Sequence, residues 1–141
     1  MNPPESVPNP SFLFSGINHV TLPVSDKTKS EAFYVGTLGL TKVTVGSSLW
    51  IRLGDQFIHL NQSTVIPSPS FAHFAIRVEN LLDYLNVLRN KRVDIFDLDE
   101  TLKEISLNVE FEKRNRQFFL RDPDGHLLEL IDATNSFFHP V

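Results

Sequence analysis

Two nine-residue stretches, Gly16-Ile-Asn-His-Val-Thr-Leu-Pro-Val24 and Ser70-Phe-Ala-His-Phe-Ala-Ile-Arg-Val78, write one pattern twice. A single shift carries His19 onto His73, Ile17 onto Phe71, Leu22 onto Ile76 and Val24 onto Val78, and a polar, helix-initiating segment follows each copy. A chain with such an internal repeat folds as two versions of one unit. Period-two alternation then gives each strand two faces. Val20, Leu22 and Val24 point one way, against Ile17, His19 and Thr21; in the second copy Phe74, Ile76 and Val78 oppose Phe71, His73, Ala75 and Arg77. The following helix covers the purely apolar face, so both histidines look into whatever the opposite face encloses.

The rest of the chain fits two β-α-β-β-β modules. Residues 1–15 hold Pro3, Pro4, Pro8 and Pro10 and read as an extended arm, with Phe12, Leu13 and Phe14 available to dock it. The first module, 16–61, has a strand over 17–24, a helix capped by Ser25 or Asp26 and running to about Val35, a hairpin of strands 41–45 and 48–53 turning at Gly46-Ser47, and a strand over 56–61. Pro67 and Pro69 mark 62–69 as a linker. The second module, 70–132, has a strand over 71–78, a helix over 80–90, a strand near 93–96, and strands 116–121 and 126–131 around the tight turn Asp122-Pro-Asp-Gly125. Residues 98–115 alternate as Ile105, Leu107, Val109 and Phe111, but charged flanks leave their structure open. Residues 133–141 form a tail. The fold class expected is α+β, a cupped mixed sheet built from two modules.

The closing strands repeat as well. Gly54-Asp-Gln-Phe-Ile-His-Leu60 lies over Asp124-Gly-His-Leu-Leu-Glu-Leu130, which sets His59 where Glu129 sits. Alternation turns Ile58, Leu60, Leu128 and Leu130 toward the helices and His59 and Glu129 toward the histidine face. Imidazoles and a carboxylate on one interior surface suit a first-row divalent ion, with open positions for substrate. His19, His73 and Glu129 are therefore expected to bind one ion, Zn, Ni, Mn or Fe, with His59 either a fourth ligand or pocket wall. A lone interior imidazole is more often a hydrogen-bonded core residue, and a buried carboxylate is costly unless paired; three such groups together favour the metal.

Composition excludes other classes. Thirteen basic residues against seventeen acidic ones give a net charge of −4, which argues against a nucleic-acid surface. The absence of Cys removes disulfide and thiolate chemistry and is compatible with the cytoplasm. No apolar run approaches the ~20 residues that span a bilayer. Arg77 and Arg116 are candidates to hold an anionic substrate by bidentate hydrogen bonds, and Trp50, Phe57 and Phe119 are candidates to line the cavity. His126 and His139 read as exposed.

Ile17-Asn-His-Val-Thr-Leu-Pro-Val-Ser-Asp26, Phe33-Tyr34 before Leu38-Gly39, Ala72-His-Phe-Ala-Ile76 and Arg121-Asp-Pro-Asp-Gly-His-Leu-Leu-Glu129 resemble signature segments of the vicinal oxygen chelate superfamily. That group includes glyoxalase I, fosfomycin-resistance transferases, extradiol dioxygenases and bleomycin-resistance proteins. The resemblance implies paired βαβββ modules cupped around a metal, with His19, His73 and Glu129 on the recurrent ligand positions. Glyoxalase I proteins usually carry Glu where this chain has His59. Fosfomycin transferases share the His19 and Thr21 pattern, but their phosphonate-holding Tyr falls on Phe119. The resemblance thus implies catalytic roles for Glu129, Thr21 and His59, and orders the readings: a glyoxalase-like lyase or isomerase acting on a small oxygen-chelating substrate, then a ring-cleaving dioxygenase, then a thiol transferase, with a metal-free drug-binding protein as the non-enzymatic alternative. Each module carries half of the ligand set, so a homodimer is expected, with His19 of one subunit beside His73 and Glu129 of the other.

Overall fold

The computed structural model describes residues 12–107 and 117–134. β1, His19–Val24, leads into α1, Lys27–Glu31. Asp26 starts that helix: its backbone is extended and its carboxylate accepts from the Thr28 and Lys29 N–H groups, which have no partner inside the helix. The helix then widens into one turn, Ala32–Thr37, closed by a bond from the Leu38 N–H to the Phe33 carbonyl of 2.8 Å. β2 (Thr41–Val45), β3 (Ser48–Leu53) and β4 (Gln56–Gln62) complete a four-stranded sheet in the order β1-β4-β3-β2, with β1 parallel to β4.

The second half repeats this arrangement and adds a strand. β5 (His73–Val78), α2 (Leu81–Asn90), β6 (Phe96–Leu98), β7 (Glu104–Ser106), β8 (Phe118–Arg121) and β9 (Leu127–Asp132) give a five-stranded sheet ordered β5-β9-β8-β6-β7. The register repeats too: Thr21 lies opposite His59 in the first sheet, and Ala75 lies opposite Glu129 in the second. The architecture is α+β, two mixed sheets with few helices. No helix among the described residues is long and apolar enough to cross a membrane.

Several boundaries move from the expected ones. The strand expected near 93–96 is β6, Phe96–Leu98, because Arg92 takes a left-handed conformation (φ 63°) and the Val93 N–H turns back to the Leu88 carbonyl, so the chain enters the sheet later. The alternating stretch yields the short strand β7 around Ile105; Val109 and Phe111 lie outside the described residues. His126, expected to be exposed, is half-buried, and its Nε2–H donates to the Pro23 carbonyl at 2.6 Å. His139 lies outside the described residues. Phe12, Leu13 and Phe14 are 62%, 90% and 92% exposed, so these side chains are not docked on the described residues.

One apolar core runs through both halves. Val24, Leu38, Ile51, Ile58 and Leu60 from the first module join Leu85, Leu88, Leu120, Leu128 and Leu130 from the second; each such burial stabilises by about 1.5–3 kcal/mol. Polar ties cross the same boundary. The Tyr34 hydroxyl donates to Asp122 Oδ2 at 2.9 Å, the Tyr84 hydroxyl to the Leu38 carbonyl at 2.6 Å, Lys91 Nζ to the Thr37 carbonyl at 3.0 Å, and the Ser25 N–H to the Asp124 carboxylate at 3.1 Å. The widened turn after α1 thus leaves carbonyls that α2 satisfies. What the helices leave uncovered is the opposite face of each sheet, on which the second sheet carries a smaller apolar cluster of Phe96, Phe119 and Leu127, and β1 and β5 each lie at the end of their sheet.

Candidate metal centre

The uncovered faces carry the chemistry. On the second sheet, Ala75 is the small residue opposite Glu129, and the room it leaves lets His73 reach across. His73 Nε2 lies 3.2 Å from Glu129 Oε1. The other ring nitrogen, Nδ1, is 2.8 Å from the Phe71 carbonyl, an oxygen that can only accept, so Nδ1 carries hydrogen. Nε2 therefore presents a lone pair to a carboxylate oxygen unless a proton or a cation lies between them. Glu129 is only 8% exposed, which makes an uncompensated acceptor pair costly.

His19 is prepared in the same way. Its Nδ1 is 2.7 Å from Asn18 Oδ1, an amide oxygen that accepts, so Nδ1 carries the hydrogen and Nε2 keeps its lone pair available. An imidazole tied through one nitrogen to a carbonyl oxygen, with the other nitrogen free, is how metal-ligating histidines are usually held, because the tie fixes tautomer and ring orientation. The residues present thus fit a divalent ion by their donor chemistry. They do so in two halves: among the described residues no three of His, Cys, Asp and Glu within the chain are grouped to hold an ion. His73 and Glu129 form one half; His19 and His59, with ring centroids 6.5 Å apart, form the other.

The other expected site residues divide between the halves. Trp50 stacks on His59 at 4.2 Å with the rings within 2° of parallel, and meets His19 edge-on at 4.9 Å. Phe57 packs edge-on to Trp50 and sits under the Arg52 guanidinium. Thr21 is exposed on the His19 face of β1. In the second half, Phe119 is fully buried, edge-on to His73 at 5.2 Å and stacked on Phe96. Arg77 is exposed and lines a cavity of about 600 Å³ that Glu129 also lines. Arg116 lies outside the described residues. The two ties on Nδ1 were missed from sequence. Asn18, directly before His19 at a strand start, is a signal that was there to be used; the Phe71 carbonyl is backbone and has none.

Residues 16–130 match the family model for the Glyoxalase/Bleomycin resistance protein/Dioxygenase superfamily. Among curated proteins, the chain is 30% identical over 127 residues to the metallothiol transferase FosB of Staphylococcus epidermidis, covering 85% of this chain and 83% of the relative. It is 28% identical over 126 residues to the glutathione transferase FosA of Serratia marcescens, covering 84% and 81%. Among solved structures, a glyoxalase family protein from Bacillus anthracis superposes with a TM-score of 0.69 at 20% identity, over 86% of this chain and 97% of the other. The fosfomycin resistance protein FosX of Mesorhizobium loti superposes with a TM-score of 0.64 at 17% identity, over 88% and 97%. At these identities the two structures speak to the fold alone.

Proposed function

The chain belongs to the Glyoxalase/Bleomycin resistance protein/Dioxygenase superfamily, and from that premise we propose that it is a divalent-metal-dependent enzyme joining a thiol to a small, oxygen-chelating electrophile. His73 and Glu129 of one subunit and His19 of a second copy hold the ion, Zn, Ni, Mn or Fe. The observation that carries the reading is the matched pair of half-sites, each with an imidazole whose Nδ1 is tied to a carbonyl oxygen. The names of the curated relatives, thiol transferases with most of their length aligned to this chain, move this reaction ahead of the others.

When bound, the ion supplies a Lewis acid that draws electron density from a substrate oxygen. The chain's own groups do the rest. His73 and Glu129 fix one side of the centre on a rigid sheet, and the Thr21 hydroxyl, on the His19 face, contacts the substrate oxygen. His59, kept in place by the Trp50 ring, is the base beside His19: it takes the thiol proton as sulfur bonds to carbon and a carbon–oxygen bond of the electrophile opens, and the proton then passes to the released oxygen. A homodimer brings the halves together. β1 and β5, the strands bearing His19 and His73, have no neighbour on their outer edges among the described residues, and unpaired edges invite a partner strand.

A second reading, a glyoxalase-like lyase or isomerase, draws on Phe119. At the position the resemblance gives to the phosphonate-holding Tyr, this side chain has no hydroxyl and is buried. Metal-loaded protein incubated with fosfomycin and a thiol panel, analysed by mass spectrometry, tests the first reading through the thiol adduct. Turnover of methylglyoxal hemithioacetal without adduct formation would favour the second. Ring cleavage of a catechol with Fe(II) would favour a dioxygenase, and no turnover of any of them a binding protein.

A further inference from the structure

We propose that Arg77 is the specificity residue of this site and that the substrate is a small carboxylic acid whose carboxylate Arg77 holds while other oxygens of the molecule face the metal centre. The proposal rests on the metal reading above and adds the chemical class of ligand.

Arg77 and Glu129 line the same cavity of about 600 Å³, together with Ala75, Asp55, Gln56 and Ile131. Along β5 the residues of this face are His73, Ala75 and Arg77. Ala75 is opposite Glu129, and Arg77 is opposite Ile131, one step further. Two residues along a strand advance by ~6.6 Å, so Arg77 is anchored about that far along β5 from the level of Glu129 and about twice as far from His73. Ala75, carrying only a methyl group, leaves the space between them open. Arg77 makes no hydrogen bond or ion pair with a described residue, whereas Arg121 is engaged by Glu104 and by the Gly125 carbonyl. An arginine with its fork unused, on the wall of a cavity that Glu129 also lines, is placed to read an anion.

The charge balance favours an anion over a neutral ligand. A divalent ion with Arg77 brings three positive charges; Glu129 and Asp55 remove two. Positive charge is left over for the ligand to meet. The planar fork of guanidinium also pairs with a carboxylate through two parallel hydrogen bonds.

The test uses a matched pair of probes. In 3,4-dihydroxybenzoate two adjacent oxygens chelate a metal, and a carboxylate lies across the ring; its methyl ester keeps the ring and the chelating oxygens, loses the charge and withdraws electrons more strongly, which by itself favours chelation by the ester. Calorimetric titration of Zn-loaded full-length protein should show the acid binding at least tenfold more tightly than the ester. Arg77→Met should erase that preference and leave ester binding within twofold, and Arg77→Lys should retain part of it. Arg77 is exposed, so the fold tolerates both changes. Equal binding of acid and ester by the wild-type protein, or a preference that survives Arg77→Met, overturns the proposal while leaving the metal reading intact. If ester binding does not depend on zinc, the metal reading itself fails and the proposal goes with it.

Discussion

Tyr34→Phe removes one hydroxyl from the boundary between the two modules and leaves the ring that packs there. The Tyr34 side chain is fully buried, and its hydroxyl donates to Asp122 Oδ2 at 2.9 Å. A hydrogen bond to a charged acceptor contributes about 1.5–3 kcal/mol. Asp122 keeps two other donors, the backbone N–H groups of Asp124 and His126, each at 2.9 Å from Oδ1. The carboxylate is therefore not stripped bare, and the loss should fall at the low end, about 1.5 kcal/mol, or roughly 5 °C in Tm for a domain of this size. Urea unfolding followed through Trp50, the single tryptophan, measures it, with chain concentration held fixed because association feeds into apparent stability. A second readout is alkaline pH. Burial first, and then the Asp122 charge, push the Tyr34 hydroxyl far above the ordinary tyrosine value of 10.0. Above pH 10 the unfolded chain loses this proton and the folded chain keeps it, so stability is intact below pH 10 and falls as pH rises. Tyr34→Phe should make that fall shallower. A loss under about 0.5 kcal/mol, or an unchanged alkaline slope, would refute the account of this bond as a tie between modules.

Gly125→Ala should destabilise by at least about 1–2 kcal/mol, because φ is +88° and an added Cβ would lie 2.9 Å from Pro69 Cγ in the linker; thermal unfolding checks it. Leu102 is left-handed at φ 64° and 53% exposed, so Leu102→Gly should stabilise by about 0.5 kcal/mol as relief of strain outweighs the greater freedom of the unfolded chain. Burial pushes the Tyr84 hydroxyl up to about 12; stability should therefore decline between pH 10 and 12, and Tyr84→Phe should remove part of that decline in alkaline melts.

The repeat made the topology legible. Aligning Gly54–Leu60 with Asp124–Leu130 put His59 and Glu129 in equivalent places, and the parallel registers place them opposite Thr21 and Ala75, which are themselves equivalent. Strand parity also assigned the two faces, since alternation is a local property of the strand: Ile58, Leu60, Leu128 and Leu130 are all buried in the core. The widened turn at Ala32–Thr37 was not legible, because its carbonyls are satisfied by Tyr84 and Lys91, far along the chain. His126 was misread for the same reason: its partner, the Pro23 carbonyl, is set by how the modules dock. In the site, residue types announced the possible ligands and the repeat divided them between the modules, His19 with His59 and His73 with Glu129, whereas how the two halves come together depends on which sheet faces pack together.

The central claim, a metal centre completed between two copies of the chain, is tested most directly by mixing. Chains carrying His19→Ala and chains carrying Glu129→Ala are each purified, unfolded and refolded together, and bound zinc is measured by equilibrium dialysis and elemental analysis alongside molecular mass. The account predicts that each variant alone binds zinc poorly and that the mixed dimer regains one tight site, built from the intact His19 of one chain and the intact His73 and Glu129 of the other. Full zinc stoichiometry in either variant alone, or a mixed dimer with no regained site, would contradict it.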